Sequence, residues 1–179
     1  MNDTQLVHED HTPKTGTSRL SVLLHNMELA SNIGSIFRIS DALGIDHIYL
    51  SGDTHTPPNR KITKTSRSTE KYVPYSYEND ALKLLTRLKQ QDYLIVSLEI
   101  CSGSEDLKHF HPPTDRKICL IVGSENKGIH STLVDLSDHT IHIPMHGHNS
   151  SMNVANACAI ASYDIIAKRS RLMEDQVRQ

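Results

Sequence analysis

Three short segments of the chain combine small, polar and charged residues in a way that could support chemistry. They span residues 32–38, 123–128 and 143–154. Their glycines let a backbone approach a ligand closely, Arg38 contributes a permanent cation, Glu125 contributes a carboxylate, and two asparagines contribute amides. These groups could line a pocket and assist a transfer reaction on a polyanionic substrate.

The elements that must position these segments alternate between strands and helices. Apolar runs predict strands at residues 20–24, 45–50, 93–98, 118–122 and 139–143, and helical periodicity predicts helices at residues 32–43, 81–88 and 152–167. Because most of the strands are uniformly apolar, we expect an α/β fold, a parallel sheet with helices on both faces. Ligands of such sheets bind beyond the carboxyl ends of the strands, where the second and third segments lie.

The first and last predicted helices begin with residues that commonly cap helices. We expect Ser31 or Asn32 to cap the first helix, and Ser150 and Ser151 to cap the last. Asn153 then falls inside the first turn of the last helix. Because asparagine is a mediocre helix former, this position suggests that its side chain faces a partner.

Arg38 lies inside a predicted helix whose other residues are largely apolar. Two interpretations are open. It could be a surface arginine whose aliphatic stem packs along the helix. Because Asn32 and Gly34 precede it near a helix start, it could instead face an anion.

A basic stretch follows the second predicted strand. Residues 60–71 contain five cations and one anion, with serine or threonine in most of the gaps. Such a stretch can be a solvated surface, or it can track RNA phosphates through Arg60, Lys61, Lys64 and Arg67. The net charge of −2 excludes a globally basic nucleic-acid binder, so the distribution of the charges matters more than their sum.

The composition indicates one soluble, globular domain. Of the 179 residues, 37% are hydrophobic, and no apolar run approaches the length of a membrane span. The first residues lack the order of a secretory signal, and three widely spaced cysteines argue against disulfides, so we expect a cytoplasmic protein with no membrane partner. The expected organisation is an arm at residues 1–18, a domain at 19–168 and a tail at 169–179. Twelve histidines fit no ligand spacing, and we expect no metal.

Taken together, the three segments resemble the SpoU, or TrmH-like, branch of the SPOUT RNA methyltransferases. The family motif Asn-x-Gly-x-Ile-x-Arg is matched at residues 32–38, and Gly-x-Glu-x-x-Gly is matched at residues 123–128. The third motif, Ile-Pro-Met-x-Gly followed by Ser-Leu-Asn-Val, is matched at residues 143–147 and 151–154. Met152 replaces the leucine of that motif, a change that conserves volume.

The resemblance implies a fold and ligands that composition does not reveal. It implies a sheet whose C-terminal part threads a trefoil knot, and S-adenosylmethionine held by the loops of that knot. It also implies a homodimer in which each site is completed by the partner. The cofactor-binding positions carried over from the family are Leu98, Glu99, Gly123, Ile143, Met145 and Met152.

The reaction implied by the resemblance moves a methyl group from S-adenosylmethionine to a ribose 2′-hydroxyl of RNA. The catalytic positions carried over are Arg38, Asn32, Glu125, Ser151 and Asn153. The family arginine is often described as a general base. Because a guanidinium stays protonated, we expect Arg38 to stabilise a developing alkoxide and to hold the adjacent phosphate. We expect the asparagines to orient the substrate or Arg38, Ser151 to position ribose or phosphate, and Glu125 to hold Arg38 or accept a hydrogen bond.

The compact chain favours tRNA over ribosomal RNA as the substrate. A ribosomal RNA methyltransferase remains an alternative, as do a base methyltransferase of the same superfamily and a non-catalytic RNA-binding module. We expect the dimer to form through the last helix, where Ala155, Ala159 and Ser162 leave room for close backbone approach.

Overall fold

The computed structural model describes the backbone of residues 18–177 and the side chains of residues 18–175, so most of the predicted N-terminal arm lies outside it. The strands are β1 (Leu20–His25), β2 (His47–Ser51), β3 (Tyr75–Glu78), β4 (Tyr93–Leu98), β5 (Glu105–Asp106), β6 (Lys117–Val122) and β7 (His139–His142). The helices are α1 (Ala30–Leu43), α2 (Arg60–Ser66), α3 (Ala81–Gln90), α4 (Ser131–Leu136) and α5 (Val154–Val177). None of these helices is both long and apolar enough to cross a membrane.

The seven strands form one parallel sheet in the order β3-β2-β1-β6-β4-β7-β5. The predicted α/β class is thereby confirmed. On one side of β1 lie β2 and then β3. On its other side lies β6, followed by β4, β7 and β5. The strand order therefore reverses between β1 and β6. In open α/β sheets, the crevice beyond the carboxyl ends of the strands at such a switch point is where ligands bind.

The central strands are buried on both faces of the sheet. In β6, Ile118 and Leu120 join the apolar cluster beneath α1 and α5, whereas Cys119 and Ile121 join the cluster beneath α3 and α4. Burial raises the pKa of the Cys119 thiol to about 12, so Cys119 behaves as a small apolar core residue. This two-sided burial explains why the strands read as continuous apolar runs in the sequence.

Two edge strands and two helices, α2 and the six-residue α4, were not predicted from the sequence. β3 reads Tyr-Ser-Tyr-Glu with its tyrosines exposed, and β5 has only two residues, so neither forms an apolar run. The basic stretch is helical over α2 because Asn59 caps it. The Asn59 Oδ1 accepts from the N–H groups of Lys61 and Ile62 at 2.9 and 3.4 Å.

The predicted caps of the first helix are wrong. Neither Ser31 nor Asn32 precedes the helix, because α1 already begins at Ala30 and follows Leu29, which offers no capping side chain. The groups that serve this helix end come from a distant part of the chain, as described below for the functional site.

The predicted caps of the last helix are also wrong. Ser150 and Ser151 lie in the loop before α5, and Asn153 is the capping residue. Its Oδ1 accepts from the N–H groups of Ala155 and Asn156 at 3.0 and 3.3 Å. The asparagine that looked poorly placed inside a helix therefore stands just before it, where asparagine is favoured.

The last helix also continues past its predicted end near residue 168, as far as Val177. Arg169 lies in this extension and is only 1% exposed. Its guanidinium donates to the carbonyls of Arg19, Thr114 and Arg116 at 3.1–3.4 Å. The predicted tail at residues 169–179 thus begins inside a helix that is tied to the start of β1 and to the loop before β6.

Candidate functional site

A cavity of about 890 Å³ opens at the carboxyl ends of β4, β6 and β7, beside the start of α1. Its walls come from residues 98–100 after β4, from the 122–128 segment after β6, and from the 142–157 segment after β7. Leu29 and Asn32 at the start of α1 complete the lining. The cavity therefore lies at the switch point of the sheet, and its volume is in the range of small-molecule sites.

This cavity collects residues that the sequence analysis identified separately. It is lined by all the predicted cofactor positions, namely Leu98, Glu99, Gly123, Ile143, Met145 and Met152. It is also lined by four predicted catalytic positions, namely Asn32, Glu125, Ser151 and Asn153. Ile100 and His142 line it too and were missed. The sequence offered one indication of them: Ile100 follows the predicted Glu99, and His142 precedes the predicted Ile143. The chemical roles of all these residues stay predictions.

The loop after β6 is a tight turn that needs both of its glycines. Ser124 N donates to Gly128 O at 3.2 Å, and Gly128 N donates to Ser124 O at 2.9 Å. Gly128 has a φ of +66°, a conformation that residues with a side chain rarely adopt. A Cβ on Gly123 would lie 2.6 Å from Ile129 N. The two glycines thus shape the wall of the cavity.

Glu99 joins the loop after β4 to the loop after β6. Its Oε2 accepts from Ile129 N at 2.8 Å, and its Oε1 accepts from Ile100 N at 3.0 Å. A side chain on Gly128 would collide with this carboxylate. Both oxygens of Glu99 therefore already serve the loops, and its direct contribution is to hold two walls of the cavity together.

A chain of hydrogen bonds connects three of the predicted catalytic residues. The Asn32 Nδ2 donates to Glu125 Oε1 at 2.7 Å, and the Asn153 Nδ2 donates to Asn32 Oδ1 at 3.0 Å. Because an ionised carboxylate only accepts, the amide of Asn32 must present its nitrogen to Glu125 and its oxygen to Asn153. Asn153 must then present its oxygen to the N–H groups of α5. The orientation of both amides is therefore determined.

Glu125 also holds the two residues that directly precede α1. Its Oε2 accepts from Glu28 N at 3.2 Å, and its Oε1 accepts from Leu29 N at 3.3 Å. A negative charge is favourable at the N-terminal end of a helix. The loop after β6 and the start of α1 are thereby joined directly beside the cavity.

Replacing Glu125 with glutamine should lower the free energy of unfolding by about 1 kcal/mol, the difference between hydrogen bonds to a charged group and to a neutral one. The neutral amide loses the charge-assisted bonds and no longer determines the orientation of Asn32. Chemical denaturation measures the change. Glu28→Gln is the matched control, because the Glu28 carboxylate accepts hydrogen bonds only from the Ser124 and Asn126 side chains among the described residues. Equal losses in the two variants would contradict this role of Glu125.

Arg38 lies apart from this network. It is exposed on α1, it does not line the cavity, and no residue in the described range 18–177 forms a hydrogen bond with its side chain. Within the one chain, no hydrogen bond joins Glu125 to Arg38, and Glu125 instead fills the other role expected of it, because it accepts a hydrogen bond from Asn32. Within the one chain the two asparagines bond to Glu125 and to each other, and their role toward the substrate or Arg38 stays a prediction.

The predicted RNA-binding cations sit on α2 or at its end. Arg60, Lys61, Lys64 and Arg67 are all exposed. Gly34 of α1 allows α2 to pack closely against α1, because a Cβ on Gly34 would lie 2.5 Å from Ile62 O. The glycine of the first segment is thus explained by close packing of α1 against α2 rather than by contact with a ligand.

A buried carboxylate stabilises the end of the basic stretch. Glu70 is 9% exposed and accepts hydrogen bonds from the hydroxyls of Ser66 and Thr63. Burial alone would raise the pKa of Glu70, but hydrogen bonds to its carboxylate outweigh burial and bring the pKa below its ordinary value. The single anion of the stretch is therefore turned inward, and its cations remain on the surface.

His142 lines the cavity, and His139 lies at the other end of β7. His142 Nδ1 lies 3.0 Å from Ser104 Oγ, and His139 Nδ1 lies 3.0 Å from Glu105 Oε1. Over residues 18–177, no three His, Cys, Asp or Glu side chains are close enough together to hold one metal ion.

The sheet and its cavity define a parallel α/β protein with a ligand cleft at the switch point of the sheet. The model of the SpoU rRNA Methylase family matches residues 19–163. The chain belongs to this family, and the predicted resemblance is confirmed.

Relatives and solved structures agree with this assignment. A TrmH family tRNA/rRNA methyltransferase of Staphylococcus haemolyticus is 27% identical over 159 residues, which cover 89% of this chain and 62% of the relative. The chain thus spans less than two thirds of that relative's length.

Among solved structures, the SpoU methyltransferase AviRb from Streptomyces viridochromogenes, in complex with the cofactor AdoMet (S-adenosylmethionine), has a TM-score of 0.79 and 25% identity. The match covers 88% of this chain and 63% of AviRb. The A. aeolicus TrmH/SpoU tRNA modifying enzyme has the same fold, with a TM-score of 0.77 and 23% identity, covering 87% of this chain and 77% of that one. The trefoil knot stays a prediction.

Proposed function

We propose that this chain is an S-adenosylmethionine-dependent RNA ribose 2′-O-methyltransferase that acts on tRNA. The observation that carries the proposal is the single cavity in which the predicted cofactor positions meet Asn32, Glu125, Ser151 and Asn153. Membership of the family supports the reaction class, and the name of the Staphylococcus haemolyticus relative supports an RNA substrate. A cytoplasmic location is part of the proposal, and three unpaired cysteines agree with it.

The cavity fits S-adenosylmethionine in size and in chemistry. Its aliphatic walls, including Leu98, Ile143 and Met152, suit a flat adenine ring, and the glycine turn at residues 123–128 brings backbone polar groups to its wall. The AdoMet complex of AviRb supports this choice of ligand. When bound, the cofactor supplies a methyl carbon that its positive sulfur has already activated.

The residues of the chain must prepare the acceptor. A ribose hydroxyl is a poor nucleophile until its proton leaves, and the charge that develops on its oxygen needs a preorganised donor. We assign this role to Arg38, whose fork of N–H groups can hold an oxyanion and the neighbouring phosphate together. Asn32 and Asn153, with their amides already oriented, would position the ribose, and Ser151 at the cavity wall would donate to ribose or phosphate.

Because Arg38 does not line the cavity of its own chain, the proposal includes a homodimer in which a second copy brings its Arg38 to the site. Of the three small residues predicted at this interface, only Ala159 is partly exposed. Ala155 and Ser162 are buried in the core of their own chain. The exposed large apolar residues of α5 are instead Ile160, Tyr163, Leu172 and Met173. Ile160 and Tyr163, at 44% and 66% exposure, are the most exposed of these and are our candidates for the contact.

We expect wild-type protein to sediment as a dimer at micromolar concentration. The double variant Ile160→Asp, Tyr163→Asp should sediment as a monomer and lose methyl transfer, because charges would be buried unpaired in the interface. Leu82→Asp is the control, since Leu82 is 43% exposed on α3, on the opposite face of the sheet. A wild-type monomer with full activity would refute the composite site.

Incubation with labelled S-adenosylmethionine and separate pools of tRNA and ribosomal RNA tests the function. We expect label in tRNA, recovered in ribose-methylated nucleosides after digestion. Label in ribosomal RNA alone would favour the ribosomal alternative, and label on a base would contradict the ribose chemistry. RNA binding with no transfer, and with no cofactor binding by calorimetry, would identify a non-catalytic RNA-binding module.

The four cations at Arg60, Lys61, Lys64 and Arg67 should contact phosphates. Replacing all four with alanine should weaken RNA binding for every sequence and lower the slope of log affinity against log salt by about 3. Binding isotherms at several salt concentrations measure this slope. A control variant removes the same charge elsewhere, at Lys83, Arg87, Lys108 and Lys117. An unchanged slope in the α2 variant would make the stretch a solvated surface.

A further inference from the structure

A second cavity, of about 470 Å³, lies at the other end of the sheet, beside the edge strand β3. It is lined by Tyr75 and Tyr77 of β3 and by the loop that follows β2, including Asp53, Thr56 and Pro57. None of its lining residues belongs to the first cavity. We call it the tyrosine cleft.

The two tyrosines are held in place while parts of their rings remain open. They are two residues apart on one strand, so their side chains leave the same face of the sheet. Tyr75 packs edge-on against Phe37 of α1, with ring centroids 5.4 Å apart at an angle of 87°. The Tyr77 hydroxyl donates to Gly52 O at 2.9 Å. Even so, Tyr75 is 38% exposed and Tyr77 is 46% exposed.

The tyrosine cleft is adjacent to the start of α2 and its row of exposed cations. α2 begins with Arg60, three residues after Pro57, and its exposed cations follow directly. The packing of Phe37 against Tyr75 connects the cleft to α1, the helix that carries Arg38. Asp53, in the cleft itself, is a carboxylate that could accept hydrogen bonds from the edge of a base.

Open aromatic rings beside a row of cations are the combination with which proteins bind single-stranded nucleic acid. The cations follow the phosphates, and the rings stack on unpaired bases. We propose that the tyrosine cleft binds one unstacked nucleobase of the RNA substrate, from a single-stranded loop near the methylated nucleotide. This inference rests on the proposed function for the identity of the substrate.

Binding of a fluorescent oligoadenylate of about ten nucleotides, compared with the same ribose-phosphate chain lacking bases, tests the inference by anisotropy. We expect the wild type to prefer the oligoadenylate. Tyr77→Leu, which keeps apolar bulk without an aromatic ring, should weaken oligoadenylate binding roughly 5- to 150-fold and leave abasic binding unchanged. Tyr77→Phe, which keeps the ring, should retain the preference for bases.

Tyr72→Leu is the matched control, because Tyr72 is 74% exposed next to the same cations but does not line the cleft. Equal losses in Tyr72→Leu and Tyr77→Leu, or equal wild-type binding of both probes, would overturn the inference. S-adenosylmethionine binding and methyl transfer to RNA are measured on the same preparations. Transfer without base preference would refute the cleft alone, and base preference without transfer would refute the methyltransferase proposal alone.

Discussion

Replacing Arg38 with alanine is expected to reduce methyl transfer to RNA by roughly 10²- to 10³-fold, the usual cost of removing one donor from a developing oxyanion. The affinity for S-adenosylmethionine should stay unchanged, because Arg38 does not line the cavity of its own chain. Transfer of labelled methyl groups gives the first quantity, and calorimetry with the cofactor gives the second. A loss of both affinity and transfer would place Arg38 in the cofactor site instead.

Arg38→Lys distinguishes a forked donor from a simple positive charge. Lysine keeps the charge but cannot hold two oxygens in one plane, so we expect this variant to remain strongly impaired. Arg87→Ala is the control, because Arg87 is an exposed arginine on α3, across the sheet, whose ion pair with Glu78 contributes little. Turnover by Arg38→Lys close to the wild-type value would refute the assignment.

Replacing Gly123 with alanine should disrupt the first cavity. The added methyl group would lie 2.6 Å from Ile129 N and would also press on the backbone of Gly128, which cannot move without opening the turn. We expect a loss of roughly 1–3 kcal/mol in the free energy of unfolding from overpacking. S-adenosylmethionine should also bind more weakly, as calorimetry would measure, because the displaced turn forms part of the cavity wall.

Gly103→Ala provides the matched comparison. Gly103 lies in the loop after β4, its φ is not positive, and an added Cβ would meet nothing within 4 Å. We expect this variant to fold and to bind the cofactor like the wild type, as judged by denaturation and calorimetry. If both alanine variants behaved alike, the tight turn would not be required for the cavity.

Much of the sheet could be predicted because buried strands consist almost entirely of apolar residues. β4 and β6 are covered by helices on both faces, so nearly every residue in them is apolar and their limits follow from the sequence. β3 is an edge strand with exposed tyrosines, and it forms because β2 offers a free edge. Its pairing depends on a neighbour, so no local pattern predicts it.

At the helix ends, too, the sequence predicts only what neighbouring residues determine. Asn153 was recognised as unusual, because asparagine is poor inside a helix, yet only the structure shows that it stands at the cap. The residues before α1 are held by Glu125, which is remote in the sequence and is brought to Leu29 by the pairing of β1 with β6. Support from a distant segment cannot be inferred from the residues next to the helix.

By itself, the sequence determined the α/β class, the family and ten of the residues that line the first cavity. Glycines in tight turns and apolar runs in buried strands are constrained locally, and the family motifs preserve that constraint. Only the tertiary structure decided which of these residues meet. It joined Glu125 to Asn32 and Asn153, left Arg38 outside the cavity, and assigned Gly34 to helix packing. Such contacts depend on the order of the strands, which brings segments together that are far apart in the chain.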